Sequence, residues 1–319
     1  MTSLRKFIEK INTEAGFAGE VRYDEPLALH TTFKVGGPGD LWIRPEAGCF
    51  PEYGALLLRN AKAEGIPVFI LGGGANIVVS DRGIRGIVLD TGAWSGLSLI
   101  GEEAVVRSGT AIDAALDSLA ALERGGLEFL AGMPGSFGGA LWMNARCYEK
   151  SLSDVLVSAG CIDEAFRQRV IPYSAEDYGY KQSPFQNRDR LILWVRLRTI
   201  PRPEPAIRQE MEQYRLDRER KGHYRFPSAG SAFKNNRHFG KPTGKIVDEL
   251  GLRGLRIGGA EVAPWHGNII INRGNACAKD IFALVLQIRA RVYGSLGIDL
   301  EPEICFVGDW PPEEGSWSP

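Results

Sequence analysis

Glycine clusters at two places in this chain, and those clusters constrain the fold more than any other feature. The apolar stretch Pro67–Leu71 leads directly into Gly72, Gly73 and Gly74, followed by Ala75 and Asn76. Further on, Gly132, Gly135, Gly138 and Gly139 fall within eight residues, around Pro134 and Ser136 and ahead of Met143, Asn144 and Ala145. Consecutive glycines at the end of a strand strip the Cβ atoms from the backbone. Its N–H groups can then approach a ligand closely, and a concave run of them can cradle a pyrophosphate. A plain tight turn, or a loop packed beneath a neighbouring strand, is the alternative at each place. Two such loops in one chain shift the balance toward a large phosphorylated cofactor. The 39 glycines among 319 residues are about 12%, against a usual value of roughly 7%, and they have no collagen period.

The familiar phosphate motifs are absent. Gly240 to Lys245 is one residue short of a P-loop and continues with Ile246 rather than Ser or Thr. Neither glycine cluster reads GxGxxG. Lys plus Arg is 38 and Asp plus Glu is 39, and this neutral balance argues against a nucleic-acid partner, whose footprint is a basic surplus. A composition with 44% hydrophobic and 24% charged residues excludes a mostly disordered chain. No run reaches the roughly 18 apolar residues of a membrane span. The first eight residues read as an amphipathic helix rather than a signal peptide, so the expected location is cytoplasmic, with no membrane partner. Cys49, Cys147, Cys161, Cys277 and Cys305 are scattered and lack CxxC spacing, which predicts free thiols and no metal site.

Periodicity predicts helices over 50–64, 111–124, 206–221, 245–250 and 280–296, the last with Asp280 as N-cap. Strands are expected at 31–35, 40–44, 67–71, 86–89, 104–107, 155–162, 190–197, 269–271 and 303–307. The alternation of the two is irregular, so the fold class is α+β rather than doubly wound. Pro201, Pro203 and Pro205 mark a boundary.

Two further segments carry possible chemistry. Gly230 before Ser231, in Pro227–Asn235, allows a sharp bend that presents the hydroxyl. The segment is not a GxSxG elbow, and no Ser/His/Asp order accompanies it. A serine fixed close to a carbon can instead deliver a proton. Glu301-Pro302-Glu303 leads into the last strand, where a carboxyl group is more often a solvated strand end than an acid. His266 reads as a structural histidine. The run Arg215, Arg218, Arg220, Lys221 and Arg225 reads as a solvated helix face or as a grip on a diphosphate.

Taken together, these segments resemble the UDP-N-acetylenolpyruvoylglucosamine reductase family, in its shorter subtype. The likeness is collinear from Leu29 to Gly308, through 31–37, 72–76, 132–145, 229–235, 258–262, 266–268 and 302–304. It implies FAD bound in a module like that of the vanillyl-alcohol oxidase (PCMH-type) group, followed by an α+β substrate domain. The implied segments are 1–88 and 89–205 for two flavin subdomains, 206–300 for the substrate domain, and 301–319 for a returning strand and tail. The resemblance makes Gly72, Gly73, Gly74, Ala75, Asn76, Gly132, Pro134, Gly135, Ser136, Gly138, Gly139, Asn144 and Ala145 cofactor contacts. It assigns Tyr180, Lys234, Asn235 and Arg225 to the substrate, UDP-N-acetylglucosamine enolpyruvate. NADPH would reduce FAD, and the hydride would pass to the terminal enolpyruvyl carbon. Ser231 would protonate the adjacent carbon, Glu303 would donate a hydrogen bond to the substrate carboxylate, and Lys181 would offset the growing negative charge. A monomer acting in peptidoglycan precursor synthesis is the expectation.

Three positions depart from the family pattern. Lys181 stands where Arg is usual and lacks the planar fork. Arg146-Cys147-Tyr148-Glu149 replaces a smaller Gly-Ala-Tyr-Gly loop, and its side chains would crowd the flavin or point outward. Asn236 replaces a common Pro, with a looser serine loop expected. An oxygen-using flavin oxidase and a binding protein with decayed catalysis are the rival readings. The Ser231 loop and Pro302-Glu303 weigh against the oxidase.

Overall fold

The computed structural model describes residues 2–186 and 188–311. In chain order it runs α1 (Thr2–Ala15), β1 (Gly19–Pro26), β2 (Pro38–Pro45), α2 (Phe50–Ala63), β3 (Val68–Leu71), β4 (Ile77–Val79), β5 (Ile84–Asp90), β6 (Leu97–Ile100) and β7 (Glu103–Arg107). It continues with α3 (Ile112–Ala121), β8 (Arg124–Gly125), α4 (Phe137–Trp142), β9 (Arg146–Cys147), β10 (Lys150–Ser151), β11 (Leu156–Ile162), β12 (Gln168–Pro172), β13 (Leu191–Arg198) and β14 (Ile200–Pro201). The remainder is α5 (Glu204–Arg220), α6 (Thr243–Glu249), β15 (Arg256–Ile257), β16 (Ala260–Val262), β17 (Ile270–Asn272), α7 (Ala278–Leu296) and β18 (Cys305–Val307). The class is α+β.

Compact packing divides the chain into two units, each discontinuous in sequence. Unit 1 holds residues 1–24, 40–73 and 86–216; unit 2 holds 25–39, 74–85 and 217–319. Residues 25–39 and 74–85 pack with the C-terminal third.

Unit 1 contains two sheets with separate cores. The first has the order β1-β2-β5-β3, with β3 parallel to β5. It is covered by α1 and α2, whose Phe7, Ile8, Ile11, Tyr53 and Leu57 are buried. These residues recur at helical spacing, which is why the two segments read as amphipathic helices. The second sheet, β12-β11-β13-β7-β6, is antiparallel throughout. Its core takes Leu116 and Leu119 from α3 and Leu141 from α4.

In unit 2, α7 packs Ile281, Leu284, Val285, Ile288 and Val292 into a core shared with β16, β17 and β18. The short β18 pairs in parallel with β4, Cys305 opposite Ile77.

Two expectations need correction. Residues 31–35 form a turn, not a strand: Lys34 has φ +58°, and Thr31 Oγ1 donates to Val35 O at 3.1 Å. Left-handed backbone at Lys34 cannot continue a strand. Asp280 is not the N-cap of α7. The helix starts earlier, Cys277 is the cap, and Asp280 closes a capping box by accepting from Cys277 N at 3.2 Å.

Candidate active site

In unit 1 the two glycine loops are in direct backbone contact. A Cβ at Gly73 would lie 2.6 Å from Gly135 Cα, and one at Gly72 would lie 2.7 Å from Ser136 Oγ. At Gly73 the obstacle is backbone, so no side chain fits there without parting the loops; at Gly72 it is a side-chain hydroxyl that can rotate. Ser136 Oγ joins them by accepting from Gly73 N at 3.3 Å and from Gly139 N, at the start of α4, at 3.4 Å. Gly73 and Gly139 remain exposed. The result is a bare-backbone surface of the kind that receives a pyrophosphate.

Asn144 sits just behind this surface, 2% exposed and with φ +42°. Its Nδ2 donates to Gly179 O at 2.8 Å and its Oδ1 accepts from Ser153 N at 3.0 Å. The amide thus braces the turn before Tyr180 and Lys181. Lys181 has φ +59°, and its carbonyl accepts from Gln186 Nε2 at 3.1 Å. Its ammonium lies 6.0 Å from the centre of the Tyr180 ring.

In unit 2 the Ser231 and Glu303 segments lie side by side. Ala232 O accepts from Glu303 N at 2.8 Å, Lys234 N donates to Glu301 O at 2.9 Å, and Phe233 bridges Pro302. On its other edge Ser231 bridges Ile269. The Ser231 hydroxyl makes no hydrogen bond among the described residues, and the residue is half-buried. Gly230, at φ +73°, turns the chain into this strand. Lys234 Nζ pairs with Glu301 at 2.6 Å. Asn235 Oδ1 accepts from Thr243 N at 2.9 Å, and Thr243 Oγ1 donates to Lys234 O at 2.8 Å, so α6 supports the loop after the serine.

Two family models match: "FAD binding domain" over residues 54–165, and "UDP-N-acetylenolpyruvoylglucosamine reductase, C-terminal domain" over residues 222–307. The UDP-N-acetylenolpyruvoylglucosamine reductase of Borreliella burgdorferi is 38% identical over 307 residues, covering 96% of this chain and 98% of the relative. The reductase of Treponema denticola is 38% identical over 316 residues, covering 94% and 97%.

The chain belongs to the UDP-N-acetylenolpyruvoylglucosamine reductase family.

The crystal structure of the reductase from Thermus caldophilus superposes with a TM-score of 0.74 at 32% identity, covering 92% of this chain and all of that one. Against the family pattern, the departures seen in the sequence take definite form. The 146–149 loop closes a small hairpin, β9-β10, in which Arg146 pairs with Glu149 at 2.8 Å and bonds Ser151 at 3.3 Å. Cys147 Sγ donates to Phe129 O, and the Tyr148 ring lies 4.4 Å from that of Tyr214. Its larger side chains are thus engaged within unit 1. At Asn236 the side-chain Oδ1 accepts from His238 N at 3.0 Å and caps the turn at 237–239.

The basic run is divided in its roles. Arg215 is neutralised by Asp113 and Asp117, and Lys221 by Asp217. Arg225 is exposed, with its guanidinium 5.0 Å from the Trp265 ring centre. Burial depresses both nearby histidines. His223 falls to about 4, helped by Arg218 and His266, and His266 is lowered as well. Burial raises the Cys305 thiol, behind Glu303, to about 11; Lys234 opposes the rise and Glu303 adds to it.

All five cysteines are free. Among the described residues no group of His, Cys, Asp or Glu could hold a metal ion, and no helix is long and apolar enough to cross a membrane. Sequence reasoning gave no role to Thr243 or Asn268, whose partners lie on other segments. His266-Gly267-Asn268 was visible only as a matching family segment.

Proposed function

We propose that this protein reduces UDP-N-acetylglucosamine enolpyruvate to UDP-N-acetylmuramate through bound FAD, in peptidoglycan precursor synthesis. Membership in the reductase family supports this reaction, and the single observation that carries it to the residues is the pairing of the Ser231 strand with the Glu303 segment. The bare-backbone loops fit FAD: Gly72, Gly73, Gly135, Ser136 and Gly139 would hold its pyrophosphate, with Gly132, Pro134, Gly138 and Ala145 shaping the loop. Gly74, Ala75 and Asn76 would complete the contacts. Bound FAD would supply the two-electron chemistry that links NADPH to the enolpyruvyl carbon.

The chain's own residues do the rest. Ser231 Oγ delivers a proton to the carbon next to the carboxylate. Glu303 hydrogen-bonds that carboxylate, and Lys181 offsets the negative charge that builds there. Lys keeps the charge of the usual Arg but binds from a point rather than a fork. Tyr180, Lys234, Asn235 and Arg225 hold the nucleotide sugar. The four-segment division, the shorter subtype, NADPH as donor, a cytoplasmic location and a monomeric state belong to the same proposal.

The test is anaerobic. Flavoprotein is bleached with NADPH and then given the enolpyruvyl nucleotide sugar. Return of the flavin band supports the reading; bleaching without return refutes it.

A further inference from the structure

Asn268 is 2% exposed and uses both its side chain and its main chain on one neighbouring strand. Its Oδ1 accepts from Phe233 N at 2.9 Å, and its Nδ2 donates to Phe233 O at 2.8 Å. Its carbonyl accepts from Ala232 N at 2.8 Å, and its own N–H donates to His266 Nδ1 at 3.1 Å. The side-chain amide thus pairs with the main chain of Phe233 as a strand residue would. A paired contact fixes both position and tilt, whereas a single bond leaves the strand free to rock.

The geometry around Ser231 makes this clamp consequential. On the N-terminal side the chain is held by main-chain and core contacts: Pro227 O accepts from Asn272 N at 2.9 Å, Ala229 is buried, and Ser231 bridges Ile269. The side-chain clamp acts on the C-terminal side. There Ala232 and Phe233 are held by Asn268 on one edge and by Pro302 and Glu303 on the other.

We infer that Asn268 is a positioning residue for proton delivery: it sets the Ser231 hydroxyl through the main chain of residues 232–233, and His266 Nδ1 holds Asn268 in turn. The inference rests on the reading of Ser231 as the proton donor. Asn268 itself bonds none of the residues assigned to flavin, so loss of the clamp acts chiefly on the half-reaction that Ser231 serves.

Holoenzyme is followed by anaerobic stopped-flow as wild type, Asn268→Ala and His266→Ala. In Asn268→Ala, bleaching by NADPH stays within about twofold of wild type, while return of the band with the enolpyruvyl nucleotide sugar slows roughly 10- to 100-fold. The slowed return shows a larger solvent deuterium effect than wild type, because proton delivery has become limiting. His266→Ala shows the same split with a smaller loss. It removes the acceptor of the Asn268 N–H together with the ring beside His223 but leaves the Asn268 amide in place, so it carries the test if Asn268→Ala does not fold. Equal slowing of both half-reactions, or return as fast as wild type in every variant obtained, overturns the inference. A wild-type band that bleaches and never returns overturns instead the function proposed above.

Discussion

Asn76 Nδ2 donates a 2.9 Å hydrogen bond to the main-chain carbonyl of Glu303, and Asn76 O accepts from Cys305 N at 2.9 Å. The last residue of the first glycine loop therefore supports the segment that carries Glu303. Replacing Asn76 by Ala removes a side-chain bond worth about 1 kcal/mol and leaves a carbonyl without its donor, for a total loss of roughly 1–2 kcal/mol. Urea unfolding measures that loss. Stopped-flow should show slower return of the flavin band in the same variant.

Gly73→Ala tests the contact between the loops. Its new Cβ would meet backbone at Gly135, which cannot move alone, whereas in Gly72→Ala it would meet the rotatable Ser136 hydroxyl. Overpacking of this kind costs about 1–3 kcal/mol. Gly73→Ala is expected to purify largely without flavin and Gly72→Ala to keep more of it. The flavin-to-protein absorbance ratio reads the order directly, and full occupancy in Gly73→Ala would contradict the close approach.

Lys181→Met removes the proposed charge partner of the substrate carboxylate. Loss of one such stabilising group in other enzymes costs about 100-fold or more in turnover, and a loss of that order is expected here. Lys181→Arg restores the charge and should retain activity. Steady-state assays of both variants decide the point; full activity in Lys181→Met would remove Lys181 from the chemistry.

The two depressed histidines give a pH dependence with a definite sign. His223 titrates near 4 in the folded protein, against 6.5 as its ordinary value. The folded state thus binds fewer protons than the unfolded chain between those values. Stability is full above about pH 6.5 and falls as the pH drops toward 4. After discounting for partial solvent screening, His223 alone accounts for about 1–2 kcal/mol lost between roughly pH 7 and pH 5. Denaturation midpoints across that range should fall less steeply in His223→Gln than in wild type.

Cys305 is half-buried near Glu303, and its thiol is raised to about 11. Iodoacetamide near neutral pH should label it much more slowly before unfolding than after. Peptide mapping of native and denatured samples checks this.

Much of the fold was legible because its signals are local. Tyr53, Leu57 and Ala61 bury one face of α2, and their spacing is visible in the sequence. The Gly72–Gly74 cluster pointed to a close backbone approach, and the contact with Gly135 and Ser136 supplies it. The turn at 31–35 was illegible because β-prone Thr31, Thr32, Phe33 and Val35 surround a left-handed Lys34 that nothing in the local pattern announces. The resemblance makes Asn144 a cofactor contact; that both ends of its amide also bond main chain elsewhere, at Gly179 and Ser153, had no signal in the sequence. Partners far apart in sequence leave no trace in spacing.

The pairing of β4 with β18 bears on synthesis as well as on chemistry. An N-terminal segment waits for a strand made near the end of the described chain, a long-range closure of the kind that slows folding. Unit 2 is incomplete until residue 307 is available, and the same late segment brings Glu303. A chain released before residue 303 would lack both the partner of β4 and Glu303, so the fold of unit 2 and the group proposed as its acid are completed by the same few late residues.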